Sequence, residues 1–265
     1  MPRLRRLDLT GAELPVVRRA LAWDLAQLEF LSLRNTALDE VPADVLALSM
    51  LRSLSLAGTG IARLPASIGR MTALQELVVS DGPLEAVPPQ LGALDDLRML
   101  DVGHTRVRAL PDELSDLRRL RTLYLHENPL RGDVPGVVWQ LRALTYLSLA
   151  ATQLERLPAG IAQLPNLVEL RLMGNALAQL PDAIGALTAL RELHLRGNRL
   201  ATLPAAVGAL DELRLLDLRA NRLRLLPPQL AQLPNLEKLD LRWNGFLRVP
   251  AWLDDLRDRG CVVLV

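Results

Sequence analysis

One leucine pattern recurs along the chain and limits the folds that it can adopt. The pattern opens with L-x-x-L-x-L, and its first leucine is Leu4, Leu28, Leu51, Leu74, Leu97, Leu120, Leu144, Leu167, Leu190, Leu213 and Leu236. These eleven units begin 23 residues apart, except that the units at 4–27 and 120–143 have 24 residues. Leucine accounts for 65 of the 265 residues, whereas aromatic residues make up only 3%. Such a composition is typical of one short unit stacked many times, and because the series has no gap for a linker, we predict a single repeat domain over residues 1–265.

Each unit also predicts its own local structure. Leucines at positions 4 and 6 alternate with more polar residues, which indicates a short strand with one buried face. A Leu-Pro or Val-Pro pair at positions 14 and 15 begins a return segment, where apolar residues three apart favour a turn or two of helix. Position 9 is Asn in most of the later units and Thr in several earlier ones, and both side chains can bond backbone groups of nearby turns. Since an amide satisfies more groups than a hydroxyl, we expect this polar ladder to be looser toward the N-terminus.

The complete unit, LRELHLRGNRLATLPAAVGALDE at residues 190–212, resembles the leucine-rich repeat family, and the resemblance covers essentially the whole chain. It implies an α/β repeat solenoid, a horseshoe with a concave parallel sheet and with short helices or turns on the convex side. The 23-residue period, the regular Leu-Pro and the lack of cysteine caps are similar to cytoplasmic members. These are the Ras-associated scaffold proteins, the plant intracellular Ras-group proteins and their bacterial counterparts.

The two ends of the chain carry different patterns. The C-terminal PAWLDDLRDRGCVVLV predicts an amphipathic helix, a stop at Gly260 and a last apolar strand, which together form a cap over about residues 251–265. The segment PVVRRALAWDLAQ in the first unit is more helix-like than its successors, and we expect Trp23 to pack within it. No separate cap precedes the first unit, so self-association through this unit and a longer native chain are both candidate explanations.

Charge and cysteine content argue against several partners and compartments. The net charge is +1, which lacks the basic footprint of proteins that bind nucleic acids or anionic membranes, so we expect neither partner. No uncharged run exceeds 12 residues, which is too short to span a bilayer, and an acidic Asp8 and Glu13 follow the arginines of the start instead of an apolar signal core. One cysteine and no Asn-x-Ser/Thr sequon favour a cytoplasmic protein. The alternative is secretion into a host cell without a Sec signal.

Positions 3, 5, 7 and 8 of each unit are predicted to project from the concave face, so recognition residues belong there. Tyr, Trp and Arg dominate binding hot spots, and the few aromatic residues and all three histidines favour these positions. One predicted patch consists of Met99, His104, Tyr124, His126, Tyr146 and Met173. A basic stripe with its flanking residues consists of Arg171, His194, Arg196, Arg219, Arg242 and Trp243. These twelve residues are the predicted protein-binding site.

Catalytic chemistry is not predicted. The chain has no H-E-x-x-H, phosphate-binding glycine loop, C-x-x-C or G-x-S-x-G, and Cys261 between apolar residues is typical of a packed thiol. Asp81, His104 and Glu127 share position 8 in three consecutive units, but an open sheet more often holds a solvated charge ladder than a metal or acid–base site. We therefore expect no enzyme, no cofactor and no metal. The Arg-Gly-Asp at 131–133 coincides with the extra residue of the sixth unit, where turn geometry accounts for Gly132.

These observations lead to two functional hypotheses. The first is a non-enzymatic adaptor that binds a protein partner along the concave face, within intracellular signalling. The alternative is a bacterial effector that recognises a host protein, and the near-absence of lysine beside abundant arginine and alanine is typical of a GC-rich bacterial coding sequence.

Overall fold

A computed structural model describes residues 4–130, 134–246 and 250–265. The chain forms two compact units, Met1–Pro129 and Leu130–Val265, which are described separately. From here on, these halves are called the first and second units, and the 23- or 24-residue segments are called repeats. The Arg-Gly-Asp at 131–133 lies outside the described residues. None of the helices in the described part of the chain has the length and apolar character of a membrane span.

Each repeat opens with a strand of three residues, at positions 3–5 as its two alternating leucines predict. The strands of the first unit are β1 Arg6–Asp8, β2 Phe30–Ser32, β3 Ser53–Ser55, β4 Glu76–Val78, β5 Met99–Asp101 and β6 Thr122–Tyr124. The strands of the second unit are β7 Tyr146–Ser148, β8 Glu169–Arg171, β9 Glu192–His194, β10 Leu215–Asp217, β11 Lys238–Asp240 and β12 Val262–Leu264.

Within each unit the strands pair in sequence order and in parallel. The register places the same repeat position side by side, as in Leu31 beside Leu54 in the first unit and Leu170 beside Leu193 in the second. The pairs β1–β2 to β5–β6 follow this rule in the first unit, and β7–β8 to β11–β12 follow it in the second. Each unit is therefore the α/β repeat solenoid that the sequence predicts, and that fold class is confirmed.

The return segments form helices of one or two turns, as expected, and most have 3-10 geometry. Three α-helices occur in the described residues: α1 Leu14–Leu21, α2 Ala43–Leu46 and α3 Trp252–Asp258. The 3-10 helices are Ala66–Arg70, Pro89–Ala93, Asp112–Asp116, Gly136–Gln140, Ala159–Gln163, Asp182–Ala186, Ala205–Ala209 and Pro228–Gln232. A proline at or just before the first residue of the 3-10 helices fits because no backbone N–H is required there.

The core is built from the repeat leucines and is lined by the position-9 ladder. Asn175 accepts hydrogen bonds from the N–H groups of Thr152 and Leu154 and donates to the carbonyls of Leu149 and Leu172. Thr36, in contrast, donates one bond to the carbonyl of Leu33 in its own repeat. Asparagine thus ties two successive repeats together, whereas the earlier threonine closes only its own turn.

The ends of the chain contain the helices and the strand that their sequences predict. Helix α1 begins one residue before PVVRRALAWDLAQ, at Leu14, and ends within it at Leu21, but Trp23 is 57% exposed, so the expectation that it packs locally is wrong. The helix has already ended when the chain reaches this residue, and its indole lies outside the buried face. At the C-terminus α3 ends before Gly260, whose φ of +88° is left-handed, and β12 then pairs with β11. That these last elements cap one eleven-repeat domain stays a prediction.

Candidate functional site: the strand face

The residues at positions 3, 5, 7 and 8 form the surface that we call the strand face. Alternation along each strand turns positions 4 and 6 into the core, so positions 3 and 5 point the other way. The strand face is less open than the sequence predicts, because Ser32, Ser148, Asp217 and Asp240 at position 5 are buried beneath their neighbours. The outer contact surface therefore consists largely of the longer side chains at positions 3, 7 and 8.

Position 8 has a backbone property that the sequence analysis missed. All eleven position-8 residues have left-handed φ values between 51° and 70°. Four of them are glycine, the residue that adopts this conformation without strain, and the others are Asn35, Asp81, His104, Glu127, Ala151, Ala220 and Trp243. Repeated glycines after the strand were the signal that could have revealed this turn. The turn therefore belongs to the repeat itself, and a bulky residue such as Trp243 adopts it at a cost in backbone strain.

In the first unit the structure brings Tyr124 and His126 together. Their rings meet edge to face, with centroids 6.0 Å apart and an interplanar angle of 81°. The imidazole of His126 lies over Gly103, where a Cβ atom would come within 2.1 Å of its Cε1 atom. Met99 is half-buried on β5. These contacts fix the orientation of the aromatic side chains in this half of the predicted patch.

The charge ladder at position 8 is also present in the first unit. The Nδ1 atom of His104 lies 3.1 Å from Oδ1 of Asp81, and its Nε2 atom lies 3.8 Å from Oε2 of Glu127. All three side chains are about half exposed, between 47% and 61%. The histidine uses its two opposite nitrogens toward the two carboxylates, so the three groups do not converge on one point.

In the second unit three of the four predicted arginines are paired with acids two residues earlier in the sequence. Arg219 donates to both carboxylate oxygens of Asp217 at 2.9 and 2.6 Å, and Arg242 donates to both oxygens of Asp240 at 3.0 and 2.7 Å. The Nε atom of Arg171 in the same way donates to a carboxylate two residues earlier, at 2.5 Å. Residues i and i+2 of a strand share a face, so the motif acid-x-arginine was a signal that the sequence analysis did not use. The predicted basic stripe is thus largely neutralised within the sheet.

Aromatic rings and guanidinium groups pair in the second unit. The guanidinium carbon of Arg171 lies 5.6 Å from the ring centroid of Tyr146. The ring of Trp243 has Arg196 at 5.9 Å and Arg242 at 5.6 Å, within the range of cation–π attraction. Trp243 nevertheless stays 65% exposed. The structure therefore places two of the predicted arginines beside one accessible indole.

Two acids and a histidine that the sequence analysis did not group also come together in the second unit. One carboxylate oxygen each of Glu169 and Glu192 and the Nε2 atom of His194 all lie within 4.8 Å of one another. The His194 side chain is only 15% exposed. The other half of the predicted patch, Tyr146 and Met173, is half-buried: Tyr146 lies on β7, paired with Glu169 in the register, and Met173 follows β8.

Two position-5 aspartates differ in their electrostatics. Burial raises the pKa of Asp101, and the hydrogen bond from the N–H of Gly103 and the charge of His126 offset only part of that effect. Burial also favours the neutral form of Asp240, but hydrogen bonds from Arg242 and the charges of Arg242 and Arg219 outweigh it and lower the pKa of Asp240. The hydrogen bond to Asp217 raises the pKa of Arg219 above its usual value.

Comparison with known families covers most of the chain. A model described as "Leucine-rich repeat region" matches residues 2–126 and 86–194, and one described as "Leucine rich repeat" matches residues 188–246. No curated protein matches the sequence.

Solved structures are similar over nearly the whole chain. A leucine-rich repeat protein of Leptospira interrogans is 33% identical with a TM-score of 0.85, over 91% of this chain and 61% of its own. The plant peptide hormone receptor RGFR1, in complex with RGF2, is 26% identical with a TM-score of 0.75, over 91% of this chain and 44% of its own. A TLR13–ssRNA13 complex is 24% identical with a TM-score of 0.80, over 98% of this chain and 40% of its own. The chain thus spans less than two thirds of the length of each of these proteins.

Proposed function

The chain belongs to the leucine-rich repeat family, and from that premise we propose that it binds a protein partner through the strand face. The repeat family and its structural neighbours are binding modules and not enzymes, in agreement with the prediction that the chain has no catalytic activity. Such modules recognise partners with the variable residues of the repeat, because the conserved leucines are buried.

Trp243 is the observation that carries this proposal. A tryptophan that is 65% exposed leaves a large apolar ring in water, and its left-handed φ of 61° adds backbone strain. The cost of exposing the ring is offset when a partner covers it, and Trp and Arg are among the residues most enriched in binding hot spots. Arg196 and Arg242 stand beside the indole and can hydrogen-bond the polar groups of the partner that surround the covered ring.

A protein or peptide ligand fits this surface better than a strongly anionic polymer. Three of the predicted arginines are paired with carboxylates, and the net charge is only +1. The plant receptor is a receptor for a peptide hormone, whereas the TLR13 structure is a complex with single-stranded RNA. The fold therefore does not support the exclusion of nucleic acid, and the preference for protein rests on the charge balance of this chain.

Two further proposals concern the compartment in which the protein acts. We infer an adaptor of the cytoplasmic type that resembles the Ras-associated scaffold proteins, because the single cysteine is a buried free thiol and no sequon is present. A bacterial effector that recognises a host protein is the second candidate, and a bacterial structural neighbour favours a bacterial origin. Detection of the chain in culture medium or in host cells separates the two, since an adaptor stays in the producing cell. Self-association through the first repeat stays a proposal that light scattering at high concentration tests.

Affinity capture with matched tryptophan variants tests the proposal. The wild type, Trp243→Ala and Trp23→Ala are each used to capture partners from a lysate of the source organism. Trp23 is a suitable control because it is similarly exposed, at 57%, but lies in the return segment of the first repeat. We expect Trp243→Ala to lose the specific partner and Trp23→Ala to retain it, with all three proteins folded by circular dichroism. Retention by Trp243→Ala together with loss by Trp23→Ala would contradict the proposal.

A further inference from the structure

The cluster of Glu169, Glu192 and His194 has the geometry of an unassigned metal site. The Nε2 atom of His194 lies 3.0 Å from Oε2 of Glu192 and 3.7 Å from Oε1 of Glu169. Zinc binds imidazole nitrogen and carboxylate oxygen at about 2.0–2.2 Å, so two ligand atoms of a tetrahedral site are about 3.4 Å apart. These two separations lie on either side of that value, and the carboxylate oxygens of Glu169 and Glu192 lie within 4.8 Å of each other, so side-chain rotations can bring the three atoms around one ion.

The three side chains stand on a rigid support. Glu169 belongs to β8, and Glu192 and His194 belong to β9, with Glu169 paired directly to Glu192 in the parallel register. Residues two apart on β9 point to the same face, so the histidine is placed next to both acids by the backbone itself. The exposed fractions of the Glu169 and His194 side chains are 21% and 15%, which limits their alternative rotamers. Preorganised ligands of this kind favour metal binding.

We propose that Glu169, Glu192 and His194 bind a first-row divalent metal ion, with Zn²⁺ as the best-matched ion. One imidazole nitrogen disfavours Mg²⁺ and Ca²⁺, which take oxygen ligands, and among the other divalent ions Zn²⁺ is one of those that an N/O site binds tightly. Three protein ligands leave at least one coordination position for water or for a ligand from another molecule, as in zinc sites that are not closed. This inference does not depend on the proposed binding of a protein partner.

Arg171 is the competitor of the metal ion. Its Nε atom donates to Oε1 of Glu169, which is one of the three ligand atoms, and the register places Arg171 beside His194. The Arg171 side chain is 40% exposed, so it can move toward solvent when an ion enters. On the other side of His194, Asp217 accepts hydrogen bonds from the Nε and Nη2 atoms of Arg219 and does not compete for the ion. Removal of the Arg171 charge is therefore expected to strengthen metal binding.

Calorimetric titration of the untagged full chain with Zn²⁺ alone tests the site. The wild type is expected to bind one ion, and His194→Gln and Glu192→Gln are each expected to weaken binding by at least about tenfold, since even outer-shell changes cost about 10- to 100-fold. Arg171→Gln is expected to bind more tightly than the wild type. These opposite signs distinguish a defined site from general attraction of the cation to carboxylates.

His104→Gln is the matched control, because His104 also lies between two carboxylates but contacts them through opposite nitrogens. It is expected to bind zinc as tightly as the wild type. Glu192→Gln keeps the result decisive if His194→Gln fails to fold, since the Glu192 side chain is 43% exposed. The proposal is overturned if the wild type shows no saturable binding, or if folded His194→Gln or Glu192→Gln binds zinc as tightly as the wild type.

Discussion

At the scale of single residues, the position in the repeat places a side chain on the strand face or in the core. The charges of the neighbouring side chains then decide whether its pKa is raised or lowered. Asp101 and Asp240 both occupy position 5. Asp240 lies among guanidinium groups that lower its pKa, whereas burial dominates at Asp101 and raises its pKa. An ionised aspartate at position 5 therefore stabilises the fold in one repeat and destabilises it in another.

This difference predicts opposite pH dependence for two matched variants. A lowered folded pKa gives stability that is present above the unfolded carboxyl value of about 3.9 and is lost as the pH falls through the folded pKa, whereas a raised one costs stability at neutral pH. Asp240→Asn should therefore be less stable than the wild type at pH 7, with the difference shrinking in acid. Asp101→Asn should be more stable than the wild type at pH 7, with its advantage also lost in acid. Urea unfolding between pH 7 and pH 3 measures both, and a shared sign at pH 7 would refute this account.

The position-9 ladder predicts unequal costs for its asparagine and threonine members. Asn175→Ala leaves several buried backbone groups without a partner and should lower the free energy of unfolding by at least about 2 kcal/mol, whereas Thr36→Val removes one hydroxyl bond and should cost about 1 kcal/mol. Urea titration at neutral pH measures both values. Equal losses would mean that the bonds between repeats add nothing beyond the local one.

The buried residues were predictable from the sequence, and the polar contacts were not. The apolar residues at positions 4 and 6 are buried from the second repeat on, and Asn at position 9 has the same role in the five repeats that carry it. The ion pair of Asp217 with Arg219 and the approach of Glu169 to His194 depend on rotamers and on the register between neighbouring strands. The acid-x-arginine spacing signals the first of these contacts but not the second, and grouping residues by a single repeat position missed both.

At the scale of elements, the sequence predicted the strands better than the helices. A three-residue strand follows directly from two alternating leucines, and the structure has it at the predicted positions in every repeat. The return segments contain one apolar anchor and a proline, which does not distinguish a 3-10 turn from an α-helical one. Only 14–21, 43–46 and 252–258 are α-helical among the described residues, and the first and last of these had distinct amphipathic patterns.

The burial of Cys261 next to the last strand predicts that its thiol reacts slowly. Cys261 precedes β12 and is buried, and this burial raises the pKa of its thiol despite the nearby charge of Arg259. Because the thiolate is the reactive form, the native protein should react with a disulfide reagent at pH 7.5 much more slowly than the urea-unfolded chain. Absorbance of the released thiolate measures the two rates, and equal rates would mean that Cys261 is accessible in the folded protein.

At the scale of the whole molecule, the unbroken repeat period predicts one cooperative domain. Nearest-neighbour coupling between repeats makes unfolding cooperative when the repeats are similar in stability. Single-tryptophan variants that retain Trp23 or Trp139 report on the first and second units in turn. We expect the tryptophan fluorescence of both variants to change at the same urea midpoint as their circular dichroism signal. Two separate midpoints would divide the chain into two folding domains.

The binding role itself was predictable only as a class. The repeat motif identifies the family because its residues are the buried ones, and partner choice depends on variable residues whose contacts appear only in three dimensions. Trp243 illustrates the limit: its position on the strand face was predicted, whereas its left-handed backbone and its pairing with Arg196 were not.

Photo-cross-linking at Trp243 tests the central claim, that the partner lies on the strand face. A photoreactive phenylalanine analogue replaces Trp243 in one protein and Trp23 in another, and each is irradiated in the presence of the captured partner. The account predicts a cross-linked product that contains the partner from position 243 and none from position 23. A partner cross-linked from position 23 and absent at position 243 would contradict it.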